Sequence, residues 1–168
     1  MDDAQYTIIR EGLYNESWPL YLGYYAAKDD ERTAVVLGGD SPISWTSISD
    51  LGLANALVLA DSTDKYIRKT FYLSSTKNPK TLADVAQIVS KYKGKSITTK
   101  IVSRQDHEHH YTNVRNMPED AVKWWSTSYD ALRDGECLIR DTTLEDLLSS
   151  KGRKPKPVEE TIHEMIAG

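Results

Sequence analysis

The sequence is poor in cysteine, in net positive charge and in long apolar runs, and each shortage excludes a class of protein. The single cysteine, Cys137, rules out an internal disulfide framework and predicts a reducing, cytoplasmic compartment. A net charge of −4 gives no general electrostatic reason to bind nucleic acid. No stretch reaches the roughly 18 apolar residues of a membrane span, and the acidic start does not resemble a signal peptide. We therefore expect neither nucleic-acid nor membrane partners.

A glycine-rich phosphate-binding loop is also missing. The nine glycines form no Gly-x-x-Gly-x-x-Gly pattern, and only residues 1–5 precede the first apolar, β-branched run at residues 6–10. Such a run is typical of a sheet strand, and in a nucleotide-binding sheet the phosphate loop would precede it. The sequence therefore predicts a chain without the front half of such a sheet.

The residues that are present have the composition of one globular α/β domain. Of the 168 residues, 39% are hydrophobic and 27% are charged, which is a mixture that can form a core. Alternating and β-branched runs predict strands, and apolar positions at helical spacing predict helices. The predicted strands are residues 6–11, 33–37, 43–48, 70–74 and 96–102, and the predicted helices are residues 51–60, 82–90, 103–113, 119–133, 144–148 and 158–166.

The same patterns predict how some of these elements pair and begin. Strands 33–37 and 43–48 should lie together as a small pair. Ser49 or Asp50 should cap the helix at 51–60, and Thr81 should cap the helix at 82–90. The later helices should form a helical C-terminal lobe.

Four stretches resemble a known family in their order and spacing. They are YTIIREGLYNESW at 6–18, ISWTSISDLGLANALVLAD at 43–61, FYLSSTKNPKTLADVAQIVSKYKGKSI at 71–97 and DTTLEDLLSSKGRKPKPVEETIHEMI at 141–166. Together they resemble the second half of NmrA-like proteins, which are atypical members of the short-chain dehydrogenase/reductase superfamily. The resemblance implies a partial Rossmann-like domain, in which residues 1–75 form the end of the sheet with a crevice loop and residues 76–168 form a substrate lobe. It also implies that strands 6–11 and 70–74 form a residual parallel pair.

The resemblance also implies a cofactor and a place for it. Gly12, Leu13 and Tyr14 would flank the nicotinamide of NAD(P)H, and this position is supported by the general rule that ligands bind outside the carboxyl ends of the strands. The alternative is a structural turn that needs Gly12 only for its backbone angle. Because the phosphate-binding loop is missing, we do not expect this chain alone to bind the dinucleotide. The substrate contacts that the resemblance implies are Asn15, Trp18, Tyr21, His110, Tyr111 and Trp125.

Other chemically suggestive residues have simpler explanations. The segment DHEHHY at 106–111 offers three imidazoles, but the only other histidine is His163, so we predict no metal site. Cys137 has no His or Cys neighbour in sequence and is predicted to be an inert thiol. Trp45, Trp124 and Trp125 are predicted to serve the core, where only one of the adjacent pair need be buried.

Three functions follow from the resemblance and remain open at this point. The first is the substrate-binding half of an NAD(P)H-dependent reductase of quinones or related small carbonyl or aromatic compounds. The second is a redox sensor that binds the dinucleotide without turnover, and the third is a cofactor-independent isomerase or cyclase. A lone half would expose sheet edges and apolar faces, so we also expect a front-half polypeptide or self-association as partner.

Overall fold

The computed structural model describes residues 5–168 and confirms the predicted α/β fold class; residues 1–4, which belong to the short stretch before the first strand, lie outside the described residues. The fold contains short parallel strands and many helices. The strands are β1 (Ile8–Glu11), β2 (Ala34–Leu37), β3 (Thr70–Leu73) and β4 (Thr98–Ile101). The helices are α1 (Trp18–Tyr21), α2 (Ile48–Leu59), α3 (Leu82–Lys93), α4 (Arg104–His109), α5 (Glu119–Arg133), α6 (Thr143–Ser149) and α7 (Val158–Ala167), and a π turn, His110–Val114, continues α4. In the described part of the chain, no helix is long and apolar enough to cross a membrane.

The parallel pair predicted for the first and fourth runs is confirmed as β1 and β3. Ile8 lies opposite Thr70, and Glu11 lies opposite Leu73. One face of the pair packs on α2 and α6 in an apolar cluster that includes Phe71, Leu73, Leu51 and Leu144. Because the strands are parallel, their carboxyl ends lie at the same edge of the sheet.

The second predicted pairing is wrong. β2 pairs in parallel with β4, with Ala34 opposite Thr98, and not with residues 43–48. Residues 43–47 form only isolated bridges, and Ile48 already belongs to α2. Their backbone groups bond to several separate segments: Ser44 N–H donates to the Cys137 carbonyl, and Thr46 N–H donates to the Leu13 carbonyl. Alternation of buried and polar side chains carries no information about which segment lies alongside.

The helix starts follow their capping residues. The hydroxyl of Thr81 accepts the Asp84 N–H at 3.1 Å, and the Asp84 carboxylate accepts the Thr81 N–H at 2.9 Å, which forms a capping box at the start of α3 as predicted. α2 begins earlier than predicted. Its cap is Ser47, whose hydroxyl accepts the Asp50 N–H at 3.2 Å, rather than Ser49 or Asp50.

The larger core is rich in aromatic side chains. Trp18, Tyr25, Trp125 and Tyr129 have no exposed surface. Trp124 is 71% exposed, although it is adjacent to Trp125, because consecutive helical residues point to different faces. The predicted core role of Trp45, which is 4% exposed, and of Trp125 is confirmed.

His107 is buried inside this core among three aromatic rings. Its ring centroid lies 4.7 Å from that of Tyr111, 4.6 Å from that of Trp125 and 4.7 Å from that of Tyr129. Neither imidazole nitrogen has a hydrogen-bond partner among residues 5–168. Burial lowers the pKa of His107 from its ordinary 6.5 to about 4, because the charged form would lose its hydration.

Replacement of the α3 cap should destabilise the fold measurably. Thr81→Ala removes the acceptor for the Asp84 N–H and should lower the free energy of unfolding by about 1 kcal/mol in urea denaturation. Thr33→Ala is the matched control, since Thr33 is exposed and the same change there should alter stability by less than about 0.5 kcal/mol. Equal effects of the two changes would contradict the capping role.

The buried imidazole should make stability fall in mild acid. Because the pKa of His107 is lower in the folded chain, the unfolded chain takes up the proton first, and the free energy of unfolding should decrease as pH falls from about 6.5 to about 4. His107→Phe should remove that component in denaturation measured across this pH range. His109→Phe, at an exposed position of the same helix, should keep it, and superimposable profiles for wild type and His107→Phe would refute the assignment.

Candidate functional site

The carboxyl ends of β1 and β3 form the edge where the sequence placed its crevice. Gly12 follows β1, and Ser74 follows β3. A Cβ atom on Gly12 would lie 2.4 Å from the Ser74 Oγ and 3.3 Å from the Ser44 carbonyl oxygen. Gly12 is not among the residues with a positive φ. It is therefore required for close approach of two chain segments, and the alternative explanation by backbone angle does not hold.

Two backbone hydrogen bonds fix the crevice loop that follows Gly12. Asn15 N–H donates to the Thr46 carbonyl at 2.9 Å, and Thr46 N–H donates to the Leu13 carbonyl at 3.0 Å. The Tyr14 hydroxyl donates to the Glu11 carboxylate at 2.7 Å. This hydrogen bond raises the pKa of Tyr14, so its phenol stays protonated at neutral pH. The loop is thus held on the segment that precedes α2.

Asn15, the last residue of this loop, is fully buried. Its side-chain amide donates to the Lys156 carbonyl at 3.1 Å and to the Thr161 hydroxyl at 3.2 Å. The Asn15 Oδ1 has no hydrogen-bond partner among the described residues. The other backbone group of Lys156 bonds to Asp50, whose carboxylate accepts the Lys156 N–H at 2.6 Å. We name Asn15 and Asp50 together the Asn15–Asp50 clamp, because their side chains bond both the carbonyl and the N–H of Lys156.

The structure separates the predicted substrate residues into two groups. Asn15 lies at the crevice, whereas Trp18, Tyr111 and Trp125 lie in the aromatic core without exposed surface. Tyr21 is half-buried, and its ring lies edge-on to that of Trp45 at 6.3 Å. Tyr21 is tied to the aromatic core, because the Tyr129 hydroxyl donates to the Tyr21 carbonyl at 2.9 Å. Whether these residues contact a substrate stays a prediction.

His110 belongs to the rim of the aromatic core. It is partly buried, and its ring meets that of Tyr111 at 5.0 Å and an angle of 89°. The pKa of His110 is lowered, first by burial and then by nearby Arg115 and other cations. Within residues 5–168, no three His, Cys, Asp or Glu side chains converge as metal ligands. The imidazole is therefore available only as a neutral hydrogen-bonding group near pH 7.

Cys137 lies beside the extended segment that precedes α2. It is half-buried, and burial raises the pKa of its thiol, which keeps the sulfur in its less nucleophilic form. The Cys137 carbonyl accepts the Ser44 N–H at 2.9 Å. These features agree with a structural rather than a reactive residue.

Sequence reasoning missed Ser74 and a groove beside it. The Ser74 Oγ is buried without a hydrogen-bond partner in the described part of the chain, and it faces Gly12. Polar residues directly after a buried strand were the available signal. The groove, which we name the basic groove, has a volume of about 640 Å³ and is lined by Lys77, Asn78, Glu145, Ser149, Gly152, Arg153, Lys154, Pro155 and Pro157.

Comparison with known proteins begins with sequence. No family model matches the chain. A curated relative, the NmrA-like family domain-containing oxidoreductase flvB of Aspergillus flavus, is 22% identical over an alignment 167 residues long, which covers 96% of this chain and 50% of that protein.

Two solved structures share the fold. Triphenylmethane reductase of Citrobacter sp., complexed with NADP(H), has a TM-score of 0.76 and 26% identity over 95% of this chain and 53% of that one. An NADPH-dependent quinone oxidoreductase of Escherichia coli, complexed with NADPH, has a TM-score of 0.75 and 23% identity over 96% of this chain and 53% of that one.

The chain spans about half the length of each of these proteins. The family and the fold agree, because the sequence relative is NmrA-like and the structural neighbours bind nicotinamide dinucleotides. These matches confirm the resemblance drawn from the four sequence stretches. In sequence and in fold the chain is therefore similar to about half of an NmrA-like oxidoreductase with a Rossmann-type, NAD(P)-binding fold.

Proposed function

We propose that the chain is the substrate-binding half of an NAD(P)H-dependent oxidoreductase that acts on a quinone or a related small carbonyl or aromatic compound. The observation that carries this proposal is that β1 and β3 are parallel, so that their carboxyl ends lie together and the loop at residues 12–15 lies beside Ser74. Ligands of such sheets bind at this edge. The names of the reductases from Citrobacter sp. and Escherichia coli support the class of reaction.

The residues at this edge fit one end of a dinucleotide and not the other. Gly12 lets the loop at residues 12–15 lie against Ser74, which brings the backbone of this loop to the mouth of the crevice where the nicotinamide is proposed to bind. The 168-residue sequence contains no glycine-rich loop to hold a pyrophosphate. In the intact enzyme the reduced nicotinamide supplies the hydride, and this chain supplies position and shelter from water.

The proposed roles follow from where the side chains lie. Gly12, Leu13 and Tyr14 flank the nicotinamide. Asn15 fixes the loop from below, and the protonated Tyr14 hydroxyl stands at the crevice. The partly exposed Tyr21 and His110 are proposed to contact the substrate, and the buried Trp18, Tyr111 and Trp125 are proposed to support them from the core. The division into residues 1–75 and 76–168 is proposed as sheet edge and substrate lobe, although the β2–β4 pair links the two parts.

The two lateral edges of the β1–β3 sheet differ in how open they are to a further strand. On the β3 side, the Tyr72 N–H donates to the Asp141 carboxylate at 2.9 Å and is therefore not available to pair with another strand. Among residues 5–168, β1 pairs with β3 alone, and Ile8 and the nearby Tyr6 are 46% and 58% exposed. A strand of a dinucleotide-binding half fits this edge, and a second copy of the chain is the competing occupant.

The isolated chain should not bind the cofactor measurably. Each charge-assisted hydrogen bond to the phosphates contributes roughly 1.5–3 kcal/mol, and losing several of them should abolish binding in titration calorimetry up to millimolar NADPH. Micromolar binding would instead place a pyrophosphate site within these 168 residues. Arg153→Ala with Lys154→Ala would then be the first test of where that site lies.

The open β1 edge should make the chain associate. We expect it to elute in size-exclusion chromatography above its 19.0 kDa monomer mass, or to bind the apolar dye ANS. Ile8→Lys should reduce either signal, because a charge on an edge strand opposes pairing. Ile101→Lys, at a 57% exposed position on β4, is the matched control. A dye-silent monomer at all concentrations would exclude this surface as a docking edge.

A further inference from the structure

We propose that the basic groove binds a small organic anion, one that joins a carboxylate or phosphate group to a flat apolar body. The groove lies between the loop that follows β3 and the loop that connects α6 to α7. Its volume of about 640 Å³ suits a small ligand. The binding of nicotinamide at the β1–β3 edge is a separate matter, and this inference does not require it.

The charge of the groove is positive and largely uncompensated. Three cations, Lys77, Arg153 and Lys154, line it together with one carboxylate, Glu145, which leaves a net charge of +2. Among residues 5–168, Lys77 and Lys154 have no carboxylate partner. Cations that line one groove and lack a carboxylate partner, as Lys77 and Lys154 do, attract an anion.

Arg153 is the side chain best suited to bind the anion. Its guanidinium lies 3.6 Å from the buried Asp50 carboxylate. The two groups form an ion pair, but this distance is too long for a hydrogen bond. The side chain of Arg153 is 53% exposed, so its remaining N–H donors face the groove and solvent. A planar guanidinium binds carboxylate or phosphate through two parallel hydrogen bonds, and this geometry selects those groups over halide.

Both walls of the groove are preformed. The Arg153 N–H donates to the Leu148 carbonyl at 3.0 Å, and the Asn15–Asp50 clamp fixes Lys156 at the far end of the same loop. On the opposite wall, the Thr76 N–H donates to Glu145 at 2.6 Å, which occupies one oxygen of that carboxylate. Little order has to be created on binding, so the ligand loses less free energy to loop ordering.

The two prolines specify the rest of the ligand. Pro155 and Pro157 line the groove together with the cations, and their rings offer apolar surface without hydrogen-bond donors. A ligand that was only an anion would leave this surface wet. An aromatic or alicyclic body with one anionic group covers the prolines and the cations at once.

The test uses naphthoate, naphthyl phosphate and the neutral naphthalenemethanol in titration calorimetry with the whole chain. We expect naphthoate, naphthyl phosphate or both to bind, with the stronger of the two identifying the preferred head group, and naphthalenemethanol to bind at least about ten-fold more weakly. Lys77→Gln combined with Lys154→Gln should weaken anion binding by about ten-fold or more. Added salt should weaken it as well, because the attraction is partly exposed to solvent.

The control variant carries the same change in net charge elsewhere. Lys28→Gln combined with Lys151→Gln alters two exposed lysines that do not line the groove, and it should leave the affinity within about two-fold of wild type. The inference is overturned if neither anion binds, if naphthalenemethanol binds as well as the anions, or if the two double variants behave alike. Unfolding in urea, measured for both variants, separates a loss of binding from a loss of fold.

Discussion

Both sites depend on the hydrogen bonds that Asn15 and Asp50 make to the backbone of Lys156. One residue donates to its carbonyl and the other accepts its N–H, at 3.1 Å and 2.6 Å. Asp50 also accepts the Ser47 hydroxyl at 2.9 Å at the start of α2, where a negative charge is stabilised by the helix dipole. Hydrogen bonds to a buried carboxylate contribute roughly 1.5–3 kcal/mol. The clamp therefore joins the crevice loop, α2 and the C-terminal segment into one rigid unit.

This unit has the properties expected of half of a larger fold. Its crevice loop is fixed before any ligand arrives, and the Ser74 Oγ and the Asn15 Oδ1 lack hydrogen-bond partners among the described residues. One edge of the β1–β3 sheet is closed by Asp141, whereas β1 exposes Ile8. The basic groove lies near Ser75, at the carboxyl end of β3. We propose that this chain, which has a fixed crevice loop at the strand ends and an exposed lateral edge at β1, completes its site with a second polypeptide.

Local sequence signals predicted most of this fold, and longer-range features were harder to predict. The capping box at Thr81 and the alternating exposure of Trp124 and Trp125 follow from spacing and residue type. Strand pairing does not, because both pairs join distant segments, Ile8 with Thr70 and Ala34 with Thr98. The family resemblance predicted the first pair, whereas the second depended on alternation alone, which does not identify a neighbour. The burial of Asn15 was equally hidden, since its partner Thr161 lies 146 residues away. Fixed contacts between distant segments decide which polar residue is structural.

The most direct test of the central claim is a chimaera in which the dinucleotide-binding half of the Escherichia coli quinone oxidoreductase precedes this chain. The account predicts that the chimaera binds NADPH and oxidises it when a quinone is added. Gly12→Val should abolish turnover, because a side chain there meets Ser74 at the edge where the nicotinamide is proposed to lie. A folded chimaera that binds NADPH but reduces no quinone, or one that is indifferent to Gly12→Val, would contradict the claim.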